Sequence, residues 1–266
     1  MNAMKLVRKR ASARFDAVTE TTATDTHLAL INRLIPEGFD RATAEDVHVR
    51  SALACNDQVD HYSTRFTLEA LQEIVALING SDTGINLMRN HNEYGSDDLP
   101  IGRLFAAELV TIGSVNHVRV WFYWERGTED GDEMARKIAL AIWREVSISW
   151  WMRSFTNSID GKPFDESPYY PGQTLADGQV VIGIMSGIEE VNELSIVPRG
   201  GQKSTAIQPA RAADAESDVE GLVLAIRGRV LSRTSTEDET ALGLEHLFRN
   251  DTGTTQVWFT SMSGSG

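Results

Sequence analysis

The sequence predicts a mixed α/β domain, of the α+β kind, built around a mainly antiparallel, barrel-like sheet with helices packed outside it. Two observations predict this fold class. Short apolar segments separated by turn residues follow one another between residues 47 and 197, a pattern typical of strands. Two longer segments with apolar residues at helical spacing interrupt them. The predicted strands are residues 47–54, 85–89, 102–110, 117–124, 146–152, 180–185 and 193–197.

The two predicted helices are residues 67–79 and 131–144. In the first, Thr67 can accept a backbone N–H at the start, and Gly80 directly follows the end. The second carries Asp132 and Glu133 in its first turn, where the helix dipole stabilises negative charge. Each segment has one apolar face, so we expect both helices to pack against the sheet.

The chain divides by composition into a central domain and two flanking regions. Residues 1–45 are basic and then rich in Thr and Ala, which predicts a mobile N-terminal arm. Residues 46–204 form the predicted folded domain, with an irregular surface excursion at 150–178 that holds three prolines. Residues 205–220 have the composition of a linker. Residues 221–266 form a small C-terminal segment of unknown role, with strand-like pieces at 222–230 and 255–260.

Charge and cysteine content argue against several classes of protein. The formal net charge of -13 disfavours a nucleic-acid-binding or peripheral membrane protein, because both use basic surfaces. No apolar run reaches about 18 residues, so we expect no transmembrane helix and a cytoplasmic protein. With Cys55 as the single cysteine, no internal disulfide or multi-cysteine zinc site can form, and no other spacing predicts a metal. Cys55 lies in an apolar run, which favours a small core residue over the alternative, a thiol nucleophile.

Two segments are candidates for hydrolytic chemistry. His91 follows a predicted strand and precedes an acidic, glycine-containing loop, a suitable position for a general base. Ser147 and Ser149 alternate along a later strand, so both hydroxyls point to one face of it. Serine hydrolysis needs a hydroxyl, a base, a group that orients the base, and donors for the oxyanion. The residues alone leave open whether these serines catalyse or only form local hydrogen bonds.

Four segments occur in the order seen in the prohead (capsid-maturation) serine proteases of tailed bacteriophages, of the HK97 type. They are residues 54–66, Asn90-His91-Asn92 followed by residues 100–103, Val146-Ser147-Ile148, and residues 193–198. The chain resembles that family over about residues 47–199. The family is similar in fold to the herpesvirus capsid-maturation proteases, so the resemblance implies a barrel of the herpesvirus-protease kind.

The resemblance also implies a role for each site residue. His91 corresponds to the general base, Ser147 to the nucleophile, and Glu193 to the group that orients the base. Arg199 falls in the turn that helps to build the oxyanion site. The glycines that follow it would let backbone N–H groups approach an oxyanion closely.

The chain departs from the family pattern at two positions. Asn92 stands where aspartate is usual, which removes a charge near the base. Ser149 stands where glycine is usual, which places an auxiliary hydroxyl beside the expected nucleophile. Whether Ser147 or Ser149 is the nucleophile therefore stays open.

By resemblance, we expect a serine endopeptidase that cleaves scaffold or capsid-protein segments during prohead maturation. It would need no cofactor and no metal, and it would act in the host cytoplasm, inside the assembling prohead. Its expected partners are the major capsid protein, scaffold segments and further copies of itself, with no nucleic acid and no membrane. The alternative is a non-catalytic structural component of the phage head on the same fold. A small-molecule hydrolase is disfavoured, since the chain has no G-x-S-x-G element.

Overall fold

The structure, a computed structural model, describes residues 23–91 and 99–209. The helices in this part of the chain are α1 (Asp25–Leu34), α2 (Leu68–Asn79) and α3 (Glu129–Ala139), with a short 3₁₀-helix at Phe164–Glu166. The strands are β1 (Val47–Asn56), β2 (Thr64–Phe66), β3 (Ile85–Arg89), β4 (Gly102–Ile112), β5 (Val115–Glu125), β6 (Glu145–Asn157), β7 (Gly183–Val197) and β8 (Ala206–Ile207). None of the helices in residues 23–91 and 99–209 combines the length and the apolar character needed to cross a membrane.

The strands form one sheet that closes on itself. Its order is β2-β7-β3-β4-β5-β1-β8-β6, and β6 also pairs with β7, so seven strands complete a barrel and β2 attaches to β7. The pairings are antiparallel except those of β7 with β2 and β3, which are parallel. The predicted fold class, a mixed α and β domain around a mainly antiparallel, barrel-like sheet, is confirmed at this level.

The main hydrophobic core joins the sheet with α2 and α3. Thr67 caps α2 by accepting the Ala70 N–H, as predicted. At the other end, the buried Asn79 side chain donates to the Ala107 carbonyl at 2.8 Å and accepts the Ala107 N–H at 2.7 Å. This paired contact satisfies a buried amide and fixes the end of α2 to β4. Large core side chains include Leu71, Ile74, Leu104, Phe122, Trp124, Met134 and Leu194.

Residues 23–45, predicted as part of a mobile arm, instead contain a packed helix. α1 starts with a capping box in which Thr24 Oγ1 accepts the His27 N–H and His27 Nδ1 accepts the Thr24 N–H. Its apolar stripe is buried in a second core cluster, so this part of the prediction was wrong because amphipathic spacing outweighed a polar composition. Residues 1–22 lie outside the described residues. The buried cluster includes Leu30, Ile31 and Leu34 of α1 and Phe105 and Trp121 of the sheet.

Several further boundaries differ from the prediction. α3 covers Glu129–Ala139, so it ends earlier than the predicted helix 131–144. β8 lies inside the predicted linker and pairs with both β1 and β6, so it completes the barrel. The predicted strands 180–185 and 193–197 belong to one continuous strand, β7. β6 continues to Asn157, so the irregular excursion begins at residue 158 rather than 150. The rest of the predicted linker and the segment 221–266, with its two strand-like pieces, lie outside the described residues.

Candidate active site

Three neighbouring strands, β3, β7 and β6, carry the candidate active site. Ser147 of β6 lies opposite Ser195 of β7, and Ser149 lies opposite Glu193. Directly opposed residues share one face of a sheet, as do alternate residues of one strand. These four side chains therefore lie together on what we call the polar face.

The opposite face of the same three strands, the core face, is apolar. Its side chains alternate in sequence with those of the polar face and belong to the main hydrophobic core. Their burial fixes the register of the strands, since a slip of one residue would exchange the two faces. The core face consists of Leu87, Val146, Ile148, Leu194 and Ile196.

His91 reaches the polar face from a tight turn at the end of β3. Asn90 and His91 both have left-handed backbone conformations, with φ of 58° and 51°. Such conformations are strained for residues other than glycine and persist where contacts hold them. Here the Asn90 N–H donates to the Ile196 carbonyl at 3.1 Å, and the His91 N–H donates to Ser195 Oγ at 3.0 Å. The turn therefore directs the His91 side chain over β7.

The Glu193 carboxylate contacts the His91 ring. Its Oε1 lies 2.5 Å from His91 Nδ1, and its side chain is only 1% exposed, whereas that of His91 is 38% exposed. A carboxylate can only accept, so Nδ1 donates and the neutral imidazole carries its lone pair on Nε2. The arrangement fixes the tautomer that a general base requires.

Ser195 joins His91 and Glu193, a role that was not predicted from the sequence. Its fully buried hydroxyl accepts the His91 N–H and donates to Glu193 Oε2 at 2.5 Å. It therefore holds both the base and the group that orients it. The signal was present: Ser195 follows Glu193 by two positions in a predicted strand, the same alternation that linked Ser147 with Ser149.

The strand register gives the two candidate nucleophiles different partners. Ser147 is half-buried and opposes Ser195, the residue that contacts the His91 backbone. Ser149 opposes Glu193, one step further along, and its hydroxyl accepts a hydrogen bond from Asn192 Nδ2 at 3.1 Å. The register therefore places each serine opposite a residue that contacts His91, Ser147 opposite Ser195 and Ser149 opposite Glu193. The resemblance favours Ser147 as the nucleophile.

The turn after β7 contains the predicted oxyanion donors. Arg199 is exposed, and its neighbour Gly200 donates its N–H to Glu145 Oε2 at 2.8 Å. Glu145 precedes Ser147 by two positions in β6, so a backbone donor beside the polar face binds an anionic oxygen. Gly200 is required here because a Cβ would lie 2.4 Å from Thr205 Oγ1.

The alternative nucleophile, Cys55, is unsuited to that role. Its side chain is buried in the main core, and this burial raises the pKa of the thiol far above its ordinary value. A thiol that stays protonated is a poor nucleophile. The structure therefore assigns Cys55 to the core.

A second histidine–carboxylate contact lies elsewhere on the barrel. His48 Nε2 is 2.9 Å from Asp132 Oδ1, and the His48 ring stacks on Trp124 with centroids 5.1 Å apart. The bond from His48 is the main cause of the lowered pKa of Asp132, which also accepts the Gly127 N–H. This contact ties the first turn of α3 to β1, a structural role.

Two sequence expectations concern the surroundings of the site. Asn92 lies outside the described residues. Within residues 23–91 and 99–209, no group of three or more His, Cys, Asp or Glu side chains is arranged to hold a metal ion. Comparison of the chain with protein-family models, with curated proteins and with solved structures finds no significant match to any of them.

Proposed function

We propose that the protein is a serine endopeptidase with Ser147 as nucleophile, His91 as general base and Glu193 as the residue that orients the base. The observation that carries the proposal is the contact of His91 Nδ1 with the buried Glu193 carboxylate, on the same face of the sheet as Ser147. Acyl transfer to serine requires a base with a fixed tautomer and a serine hydroxyl that it can reach, and both groups belong to the same face of this sheet.

In the proposed reaction, Ser147 Oγ attacks the carbonyl carbon of the scissile peptide bond while His91 Nε2 takes the hydroxyl proton. Glu193 stabilises the imidazolium that forms. His91 then donates the proton to the leaving amine, the C–N bond breaks, and an acyl-enzyme remains on Ser147. Water, deprotonated by His91, hydrolyses the ester and restores the serine.

The developing oxyanion needs donors, and we place them in the turn of Arg199 and Gly200. The Gly200 N–H already binds an anionic oxygen, that of Glu145, so it is oriented toward negative charge. In the reaction the oxyanion would take the place of this carboxylate. The role of Arg199 rests on the resemblance to the prohead and herpesvirus proteases.

The same resemblance supplies the biological setting of the proposal. The substrates are segments of the scaffold or of the major capsid protein, cut inside the assembling prohead in the host cytoplasm. Copies of the chain associate with one another and with these partners. The barrel-like sheet and its mixed parallel and antiparallel pairing are compatible with a fold of the herpesvirus-protease kind.

One observation favours a second candidate function, a non-catalytic structural component of the head. The Glu145 carboxylate occupies the Gly200 N–H that an oxyanion would use. If this contact is permanent, the polar face is a rigid part of the fold rather than a working site.

The test is co-expression with the major capsid protein of the same phage, with chain lengths read by mass spectrometry. Three forms are compared: the unaltered protein, Ser147→Ala and Ser149→Ala. We expect clipping by the unaltered protein and by Ser149→Ala, and a loss of at least about 10³-fold in Ser147→Ala, because the attacking hydroxyl is gone. Clipping that persists in Ser147→Ala but stops in Ser149→Ala would make Ser149 the nucleophile. No clipping by any form would favour the structural function.

A further inference from the structure

A cavity of about 550 Å³ lies beside the candidate active site, where β3 and β7 end and β6 begins. We call it the rim pocket. Two of its residues lie close in sequence to the proposed catalytic residues: Asn90 directly precedes His91, and Glu145 precedes Ser147 by two positions on the polar face. Arg89 enters the pocket from the end of β3, where it pairs with Ile196. Its volume is in the range of sites that hold small ligands or side chains. Ile142, Trp143, Arg144 and Pro198 supply further walls.

Arg89 is the polar residue that determines the chemistry of the rim pocket. It is half-buried, and its guanidinium lies over the Trp143 ring, 5.0 Å from the ring centroid. Within the described part of the chain its Nε is buried and has no hydrogen-bond partner. A guanidinium that contacts an aromatic ring through its face can still donate its edge N–H groups to a carboxylate.

The charges around the pocket favour an anion. Arg89 and Arg144 place two cations in the lining against one carboxylate, that of Glu145, which accepts the Gly200 N–H. Lys137 lies over the same Trp143 ring at 4.5 Å and forms an ion pair with Glu133, whose carboxylate also interacts electrostatically with Arg89. In a chain with a formal net charge of -13, this local excess of cations is a distinct feature of the surface.

We propose that the rim pocket is a specificity pocket that binds the side chain of an aspartate or glutamate close to the scissile bond of the peptide substrate. The proposal rests on the proposed endopeptidase function and adds the substrate class. The aliphatic part of the acidic side chain packs between Ile142 and Trp143, and its carboxylate pairs with Arg89. Arg144 at the mouth of the pocket strengthens the attraction.

The first experiment measures binding without cleavage. The Ser147→Ala protein is immobilised and incubated with two peptide pools that have random flanks and a fixed central Glu or its isostere Gln, and the retained peptides are quantified by mass spectrometry. We expect about tenfold enrichment of the Glu pool, because a charge-assisted pair with arginine is lost in the Gln pool. Arg89→Met should remove the enrichment, and Arg65→Met, an exposed arginine on β2, should keep it.

The second experiment uses the unaltered protein and maps cleavage sites in a pool of random peptides. We expect an acidic residue within about three positions of the scissile bond, with the preference reduced at least fivefold in Arg144→Met, a variant of an exposed residue that leaves the fold intact. Equal retention of the Glu and Gln pools, or cleavage without acidic preference, would overturn the pocket proposal and leave the endopeptidase function standing. Retention of the Glu pool without any cleavage would contradict the endopeptidase function, and with it the assignment of the pocket to a substrate.

Discussion

The core face and the polar face of β3, β7 and β6 are built from alternate residues of the same three strands, yet they serve different purposes. Leu194 is fully buried in the core, whereas its neighbours Glu193 and Ser195 hold the base of the candidate site. The core face supplies the burial that fixes the register, and the register places the serines opposite Glu193 and Ser195. Substitutions on the core face should therefore lower stability, whereas substitutions one residue away on the polar face should lower activity.

The largest effect on activity after loss of the nucleophile is expected for Glu193→Gln on the polar face. The amide keeps the shape but no longer fixes the His91 tautomer or stabilises the imidazolium, so kcat should fall roughly 10²–10⁴-fold. Steady-state kinetics on a cleaved capsid-protein peptide would measure it. Glu190→Gln, at an exposed position of the same strand, is the matched control and should retain full activity. An unchanged kcat in Glu193→Gln would make this carboxylate a purely structural group.

Leu194→Ala tests the core face, one position away. Removing a fully buried leucine side chain leaves a cavity and should lower the free energy of unfolding by about 2–5 kcal/mol. Urea denaturation would measure the change, with Ser147→Ala expected to stay within about 1 kcal/mol of the unaltered protein. Below its unfolding transition, Leu194→Ala should keep its kcat. A large loss of activity in fully folded Leu194→Ala would mean that the two faces are not separable.

His27 differs from His91 in its surroundings: among the described residues its ring contacts Thr24 and Phe105, whereas the His91 ring contacts a carboxylate. Burial lowers the pKa of His27 from 6.5 to about 4, since the charged ring would lose its hydration beside Phe105. Between these two values the unfolded chain binds a proton that the folded chain does not. The stability contributed by His27 is therefore complete above pH 6.5 and is lost as the pH falls toward 4, by about 3 kcal/mol in all.

Urea denaturation at several pH values would check this prediction. His27→Gln is the control, because glutamine can keep the capping-box contact with Thr24 and does not titrate. The unaltered protein should lose more stability than His27→Gln between pH 6.5 and 4. If the free energy of unfolding changes equally with pH in the two proteins, His27 does not titrate in this range.

The smallest effect is expected for Ser195→Ala, which removes a hydroxyl that bonds to His91 and Glu193 but takes no part in the proposed reaction. The His91 N–H loses its acceptor and Glu193 loses a donor, so the free energy of unfolding should fall by about 1–3 kcal/mol. We also expect kcat to fall about tenfold, because the turn that carries His91 is less firmly held. Ser186→Ala, on the same strand and away from the site, should change neither quantity. Unaltered kinetics in Ser195→Ala would limit this residue to a role in folding.

Much of the barrel could be predicted, because its strands are short apolar segments and the turns between them contain residues that commonly end strands. β3 was predicted with its observed bounds, Ile85–Arg89, since apolar residues and turn signals both delimit it. β8 was not, because a strand of two residues has no periodicity and depends on its partners β1 and β6. α1 was not predicted, because several threonines precede it and the sequence does not show which of them, Thr24, is the capping residue.

In the candidate site, too, contacts between residues far apart in the chain could not be predicted from local sequence patterns. The meeting of His91 and Glu193 was expected from resemblance, and the structure brings them together. The contact of Gly200 with Glu145 joins residues 55 positions apart in the chain, so only the folded turn after β7 reveals it. Ser195 could have been predicted, because it alternates with Glu193 along β7 as Ser149 alternates with Ser147 along β6.

The most direct test of the polar face as a catalytic site is chemical modification of the purified protein with a fluorophosphonate, with the adduct mapped by mass spectrometry. Such reagents modify serines that a neighbouring base activates. We expect one adduct per chain, on Ser147, and its loss in His91→Ala. The absence of an adduct, an adduct on another serine, or equal modification of His91→Ala would show that the polar face is not the catalytic site.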